Sequence, residues 1–245
     1  MKLATISTKP PEGFDKEKTE KETESLLLQM SEYQQVLYAQ KKHSLLIVFQ
    51  GMYTSGKDNV IKKVFSGMNP LGCDAVGFKA PTEEEKYHDF LWRIHKHTPA
   101  KGMIQLFDRS HYEDVLVPRV EGWITLDVVK QRFDSINSFE KLLQNNDTTI
   151  LKFYLHISKE TQQERLEERK TNPNKLWKND PNDLKVSKKW DNYMEAYEDI
   201  FDHCNATPWT IVPSDHKWYK DYIVAKETCN ALSRMKLSYP NAYVG

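Results

Sequence analysis

Five consecutive apolar residues, Leu45 to Phe49, lead into Gly51-x-x-x-x-Gly56-Lys57, and an amphipathic repeat of Val60, Ile61, Val64 and Phe65 leaves it. A short strand that is apolar at every position needs covering on both faces. A helix that begins where the strand ends must lie back over the sheet to bury its own apolar side. The two glycines allow a sharp turn between them. This stretch therefore commits the chain to a layered α/β fold. Its spacing is that of a phosphate-binding loop of the Walker A kind, although an ordinary strand-to-helix turn has the same flanks.

The alternation continues along the chain. Strands are expected at 45–50, 74–79, 102–107, 149–157 and 209–213. Helices are expected at 21–42, 57–67, 83–97, 127–145, 159–171, 183–203 and 215–236, the first with Leu26, Leu27, Met30, Tyr33, Val36 and Leu37 on one face. The fold class expected is α/β in three layers, a parallel sheet with helices on both faces. Residues 1–20, with Pro10-Pro11-Glu12-Gly13 and dense charge, read as an N-terminal arm, and 21–245 as a single domain. The polar stretch "TNPNKLWKNDPND" (171–183) reads as an excursion from the core.

Lys plus Arg and Asp plus Glu each number 35, so a polyanion would need a local basic patch. A nucleic-acid partner is not expected. No segment approaches the about 18 apolar residues of a membrane span, and Met1-Lys2-Leu3 is not followed by the apolar core of a signal peptide. The three cysteines are far apart, with neither metal-ligand nor disulfide spacing. A reduced, cytoplasmic globular protein is expected.

Within the loop, backbone N–H groups and the positive end of the following helix suit phosphate, and Lys57 adds a mobile point charge. Asp58 stands where many such loops carry Ser or Thr, and position 53 is a bulky Tyr. "GMIQLFD" (102–108) is a strand ending in a carboxylate, and in phosphate-loop folds such an Asp holds Mg²⁺. An exposed Asp at a strand end is the plainer alternative for Asp108. Arg109 and Ser110 follow directly, and "RSHYEDV" (109–115) gathers polar groups after a strand, where α/β sites collect. "TQQERLEERK" places Arg165 and Arg169 on one helix face, followed by Lys175 and Lys178. These cations suit a cover over phosphates; the plainer alternative is a solvated face paired with Glu164, Glu167 and Glu168. In "HDFLWRIHKHTP" (88–99), Arg93, Lys96 and His97 suit a basic groove, with Phe90, Leu91 and Ile94 as core.

Taken together, these residues resemble the polyphosphate kinase 2 family. The match rests on "GKDNVIKKVFSGMNPLGC" (56–73), "FKAPTEEE" (78–85), "HDFLWRIHK" (88–96), "FDRSHYEDVLVPRV" (107–120), "LKFYLHISKETQQERLEER" (151–169), "PNKLWK" (173–178), "WDNYMEAYED" (190–199) and "PSDHKWY" (213–219). It covers nearly the whole chain after the arm, and is similar to the branch that phosphorylates nucleoside mono- and diphosphates. The resemblance implies a phosphate-loop kinase fold with a helical lid at about 160–190, and Mg²⁺-dependent phosphoryl transfer between inorganic polyphosphate and nucleotides such as AMP, ADP and ATP, with guanine nucleotides also in view. It implies Lys57 as the loop lysine, Asp108 as the metal ligand, and Arg109, Arg165 and Arg169 as phosphate-gripping groups. Gly51, Ser55, Gly56, Asp58, Arg93, Lys175 and Lys178 complete the expected phosphate site, and Glu113 and Asp114 the nucleotide side. A homo-oligomer, dimer or tetramer, is implied as well.

The chain departs from the family at one point. The family's loop usually reads Gly-x-Asp-x-x-Gly-Lys, and at the position of that Asp this chain has Tyr53. Direct in-line transfer is expected, with His111 the nearest candidate for a phosphorylated intermediate if one existed. The alternatives are an ATP-dependent nucleoside monophosphate kinase and a weakly active polyphosphate- or nucleotide-binding protein limited by Tyr53.

Overall fold

The computed structural model describes residues 1–178 and 187–241; of Lys178 it describes the backbone only. Five parallel strands make one sheet: β1 (Ser44–Gln50), β2 (Cys73–Gly77), β3 (Ile104–Asp108), β4 (Thr148–His156) and β5 (Trp209–Pro213), in the order β2-β3-β1-β4-β5. β1 is central and all seven of its residues are buried. The alternation of its side chains divides the core. Leu46 and Val48 join one apolar cluster with Phe107, Tyr112 and Tyr154, while Leu45, Ile47 and Phe49 join the other with Val60, Phe153 and Leu155.

The helices are α1 (Lys16–Gln40), α2 (Lys57–Phe65), α3 (Glu83–Lys86), α4 (Trp92–His95), α5 (Glu113–Val120), α6 (Leu126–Asn145), α7 (Lys159–Thr171), α8 (Trp190–His203) and α9 (Lys217–Arg234). α1 packs along α9 and buries Met30 and Leu37 there. It starts at Lys16 because Asp15 accepts from Lys18 N as its N-cap, so the helix takes in the end of the segment expected as arm. The preceding residues are tied down. Leu3 is fully buried, Leu3 N donates to Glu198 Oε1 (2.8 Å), and Thr8 Oγ1 donates to Asp215 Oδ2 (2.6 Å).

Two expectations are corrected. The single helix expected over 83–97 is broken into α3 and α4. Thr82 and Glu85 close a capping box on α3, and Asp89 Oδ1 then accepts from Leu91 N, a turn that competes with helix continuation. No helix is among those expected between 97 and 127, yet α5 begins at Glu113. Pro118 within α5 has no N–H for the Asp114 carbonyl one turn back, and Arg132 Nη1 donates to that carbonyl instead (2.6 Å). The helix expected at 183–203 is described from Trp190 as α8; 183–186 lie outside the described residues.

Candidate active site

β1 ends against β3 on one side and β4 on the other, with Phe49 opposite Asp108 and Phe153. The strand order diverges at this central strand, and the carboxyl ends of the strands open a crevice there. The loop of residues 51–56 occupies that position. Gly51 sits at φ 150°, and a Cβ on it would lie 2.8 Å from both Leu155 O and Ser55 Oγ. Gly56 is the left-handed N-cap of α2 at φ 89°. Thr54 (φ 65°) and Arg109 (φ 68°) are also left-handed, which is costly for residues with a Cβ. Two of the five left-handed non-glycine residues among the described residues thus lie on the segments that face each other across the crevice.

Lys57 is buried and folds back on its own loop, donating through Nζ to Gly51 O (2.9 Å) and Met52 O (3.4 Å). Burial, and then repulsion from Arg109, lower its pKa to about 8, against the opposing pull of Asp108, Glu113 and Asp58. Arg109 is held by Glu113 (3.5 Å) and lies over the Tyr53 ring, 4.9 Å from its centroid. Burial opposes the charge on Arg109, but Glu113, Tyr53 and Asp108 outweigh it and keep the group firmly cationic. Between Tyr53, Lys57, Arg109 and Tyr193 a cavity of about 20 Å³ remains, room for roughly one water. Outside it lies a cleft of about 990 Å³, bordered by Tyr53, Phe78, Arg93, Asp108, Arg109 and Trp123. That size suits a nucleotide, and aromatic walls with a few polar groups suit a base and its phosphates.

The expected residues therefore divide into groups. Gly51, Tyr53, Ser55, Gly56, Lys57 and Asp58 form the loop and the first turn of α2, and Asp108, Arg109 and Glu113 face it. Arg93 is on the far wall of the cleft. Its guanidinium is committed to Asp114 (2.9 Å) and to Lys79 O (2.8 Å), so these two expected ligand residues hold each other. Arg165 lies behind the loop, its fork donating to Thr54 O (2.9 Å) and Ser214 O (2.9 Å). Arg169 is one turn further along α7 and half-buried, and Lys175 pairs with Glu168 at 2.5 Å. The side chain of Lys178, and 179–186 of the expected lid, lie outside the described residues.

Several neighbours escaped the sequence reading. Gln162 Nε2 donates to Tyr53 O (3.2 Å), Lys220 Nζ to Gly56 O (3.1 Å), and Gly51 N to Tyr197 Oη (3.3 Å). For Lys220 a signal existed: Lys220, Val224 and Thr228 are four apart on the buried face of α9, an odd place for a cation. His111, in contrast, is fully buried against Glu140 (3.4 Å) and Phe139, and is turned into the core.

As a magnesium site, the residues fit one mode of binding. Among the described residues no cluster of three or more His, Cys, Asp or Glu side chains forms a cage. Asp108 and Glu113 nonetheless bring hard carboxylate oxygens to the loop, both close enough to raise the proton affinity of Lys57. Mg²⁺ in kinases is held by one or two carboxylates and completed by substrate phosphates, which such a pair can serve.

Comparison with known proteins agrees with the geometry. The Polyphosphate kinase 2 family matches residues 13–240. An AMP/ADP-polyphosphate phosphotransferase of Meiothermus ruber is 42% identical over 213 residues, 86% of this chain and 80% of that protein. An ADP-polyphosphate phosphotransferase of Rhodopseudomonas palustris is 39% identical over 225 residues, 86% of this chain and 78% of that one. A solved polyphosphate kinase 2 structure from Arthrobacter aurescens TC1 superposes with a TM-score of 0.96 at 38% identity, covering 100% of this chain and 89% of that one. With its five-stranded parallel sheet, its glycine-bounded loop and Lys57 facing Asp108 and Arg109, this chain belongs to the polyphosphate kinase 2 family.

Proposed function

We propose that this chain transfers phosphoryl groups between inorganic polyphosphate and nucleoside mono- and diphosphates. The observation that carries the reading is the electrostatic coupling of Lys57 to Arg109 and Asp108 at the strand ends of a polyphosphate kinase 2 chain, where Arg109 lines both the small loop cavity and a nucleotide-sized cleft. Phosphoryl transfer asks little covalent help of a protein; it asks for alignment and neutralised charge. Polyphosphate has no base to recognise, so loop amides and cations can hold it by charge. The acceptor enters through the cleft, where Phe78 and Trp123 offer apolar surface to a base. AMP and ADP are the acceptors we infer, after the names of the Meiothermus and Rhodopseudomonas relatives. GDP is a further candidate, after a GDP-polyphosphate phosphotransferase of Mycolicibacterium smegmatis, 35% identical over 180 residues.

Lys57 leaves its carbonyls and follows the transferring group, Arg109 steadies the phosphate oxygens, and Arg165 and Arg169 stand behind them on α7. Asp108, with Glu113, is the place for Mg²⁺. Bound there, the ion would supply neutralisation of phosphate charge. The buried setting of His111 against Glu140 favours direct in-line transfer over a phosphohistidine. A homo-oligomer in the cytoplasm belongs to the same proposal; free thiols at Cys73, Cys204 and Cys229 suit a reducing compartment.

A second reading has its own observation. Tyr53 lies against Arg109, and the cavity at the loop mouth is only about 20 Å³, which suits a chain that binds phosphates and turns over slowly. An assay with AMP, ADP, GMP and GDP, polyphosphate as sole donor and Mg²⁺ titrated, separates the two. Product well above background supports the enzyme, and binding with background turnover supports the weak form. A requirement for added ATP as donor would make the chain an ATP-dependent kinase instead.

A further inference from the structure

Four consecutive carbonyls of the loop are gripped from one side. Gln162 Nε2 donates to Tyr53 O (3.2 Å), and Arg165 Nη1 to Thr54 O (2.9 Å) and Ser55 O (3.4 Å). Lys220 Nζ donates to Gly56 O (3.1 Å). The other half of the Arg165 fork is anchored on Ser214 O (2.9 Å) and Asp215 O (3.0 Å), just past the end of β5. All of these donors belong to α7 or α9.

A trans peptide fixes its N–H opposite its C=O, and none of the described peptide bonds is cis. Carbonyls drawn toward α7 and α9 therefore send the following amides, at residues 54 to 57, the other way. Ser55 N turns back to Met52 O (3.1 Å). Among the described residues the amides of Thr54, Gly56 and Lys57 are donated to no backbone carbonyl. Successive amides pointing into one concavity at a helix start make an anion site. Its hydroxyls are unspent too: Thr54 Oγ1 and Ser55 Oγ are buried without a partner among the described residues.

We propose that Arg165, with Lys220 and Gln162, is a positioning residue that aims the loop amides at phosphate by holding the carbonyls behind them, and does not itself touch the transferring group. The inference rests on the loop being the phosphate site, and refines the place given to Arg165. The planar fork explains why Arg is used: it reaches two carbonyl pairs at once, whereas Lys carries the same charge on one point. Glycine at 56 suits the arrangement, since a Cβ there would stand 2.9 Å from Lys220 Nζ.

Calorimetric binding of tripolyphosphate, with circular dichroism to check folding, separates positioning from direct contact without needing turnover. Arg165→Lys keeps the charge and loses the fork, so its Kd should rise about tenfold or more at unchanged net charge, in keeping with the roughly 10²-fold cost of misplacing a site by about 1 Å. In Arg165→Gln the affinity should fall by the same factor at low and high salt, because no ion pair to the ligand is lost. Lys220→Met gives a second reading if the Arg165 variants do not fold, with the same rise in Kd expected. Unchanged Kd in folded Arg165→Lys or Lys220→Met overturns the proposal. A defect in Arg165→Gln that vanishes at high salt also overturns it and makes Arg165 a direct ligand. Failure of the unsubstituted chain to bind tripolyphosphate overturns the phosphate reading of the loop itself.

Discussion

The guanidinium of Arg109 lies over the ring of Tyr53 with 4.9 Å between carbon and centroid, so the aromatic residue of the loop is in contact with a cation of the candidate site. The resemblance drawn from the sequence leads one to expect an Asp carboxylate at this position, where a phenol stands, and the Tyr53 ring lines the small cavity at the loop.

Tyr53→Asp is expected to raise turnover about tenfold or more and to lower the Mg²⁺ needed for half-maximal rate, in line with the ~1.5–3 kcal/mol of a charge-assisted contact. Tyr53→Phe should leave both nearly unchanged, because it keeps the ring over Arg109. Parallel Mg²⁺ titrations of the three chains check this. Equal rates and equal Mg²⁺ dependence would remove position 53 from the metal site.

Lys57, with its pKa lowered to about 8 by burial and by Arg109, gives a dependence on pH. The free enzyme loses this charge as pH rises through about 8, so kcat/KM should fall on the alkaline side there. The stability effect has the opposite sign. Between about 8 and the ordinary lysine value of 10.5 the unfolded chain holds the proton more tightly, so stability rises with pH in that window. Urea unfolding at pH 8 and pH 10 should show the parent chain gaining stability relative to Lys57→Met. No relative gain would mean that the folded lysine titrates normally.

Lys152, Glu140, Tyr112 and His111 form a buried network, with Lys152 Nζ 2.8 Å from Glu140 Oε2 and Tyr112 Oη donating to Glu140 Oε1 at 2.7 Å. Glu140→Ala strands the buried ammonium and should cost about 3–5 kcal/mol, whereas the double substitution Lys152→Met with Glu140→Leu should recover most of that. Denaturant unfolding reads both. His111 belongs to this network, so incubation with labelled polyphosphate should leave no acid-labile phosphate on the protein. Label that disappears in His111→Asn would contradict direct transfer.

Much of the fold could be read from local pattern. Strand β5 and helix α7 fall at the expected residues, and the apolar run at 45–49 is the central strand, because a strand buried on both faces has no polar side to disguise it. The break between α3 and α4 could not be read from apolar spacing, since it depends on the Thr82 box and the Asp89 turn. α5 was hidden because its Pro118 argues against a helix until Arg132, from another helix, takes the carbonyl that proline leaves. The loop, Lys57 and Asp108 follow from short-range order. The attachment of Arg165 to the loop carbonyls joins residues about 110 positions apart, and helical spacing carries no such information.

The most direct test of the account is nucleotide phosphorylation with polyphosphate as the only donor, run for the parent chain and Lys57→Ala side by side with ADP and Mg²⁺. The account predicts ATP formation by the parent chain and a rate lower by about 10²-fold or more in Lys57→Ala, the usual size of a lost transition-state charge contact, with the fold intact by circular dichroism. A folded Lys57→Ala chain within tenfold of the parent rate would contradict it.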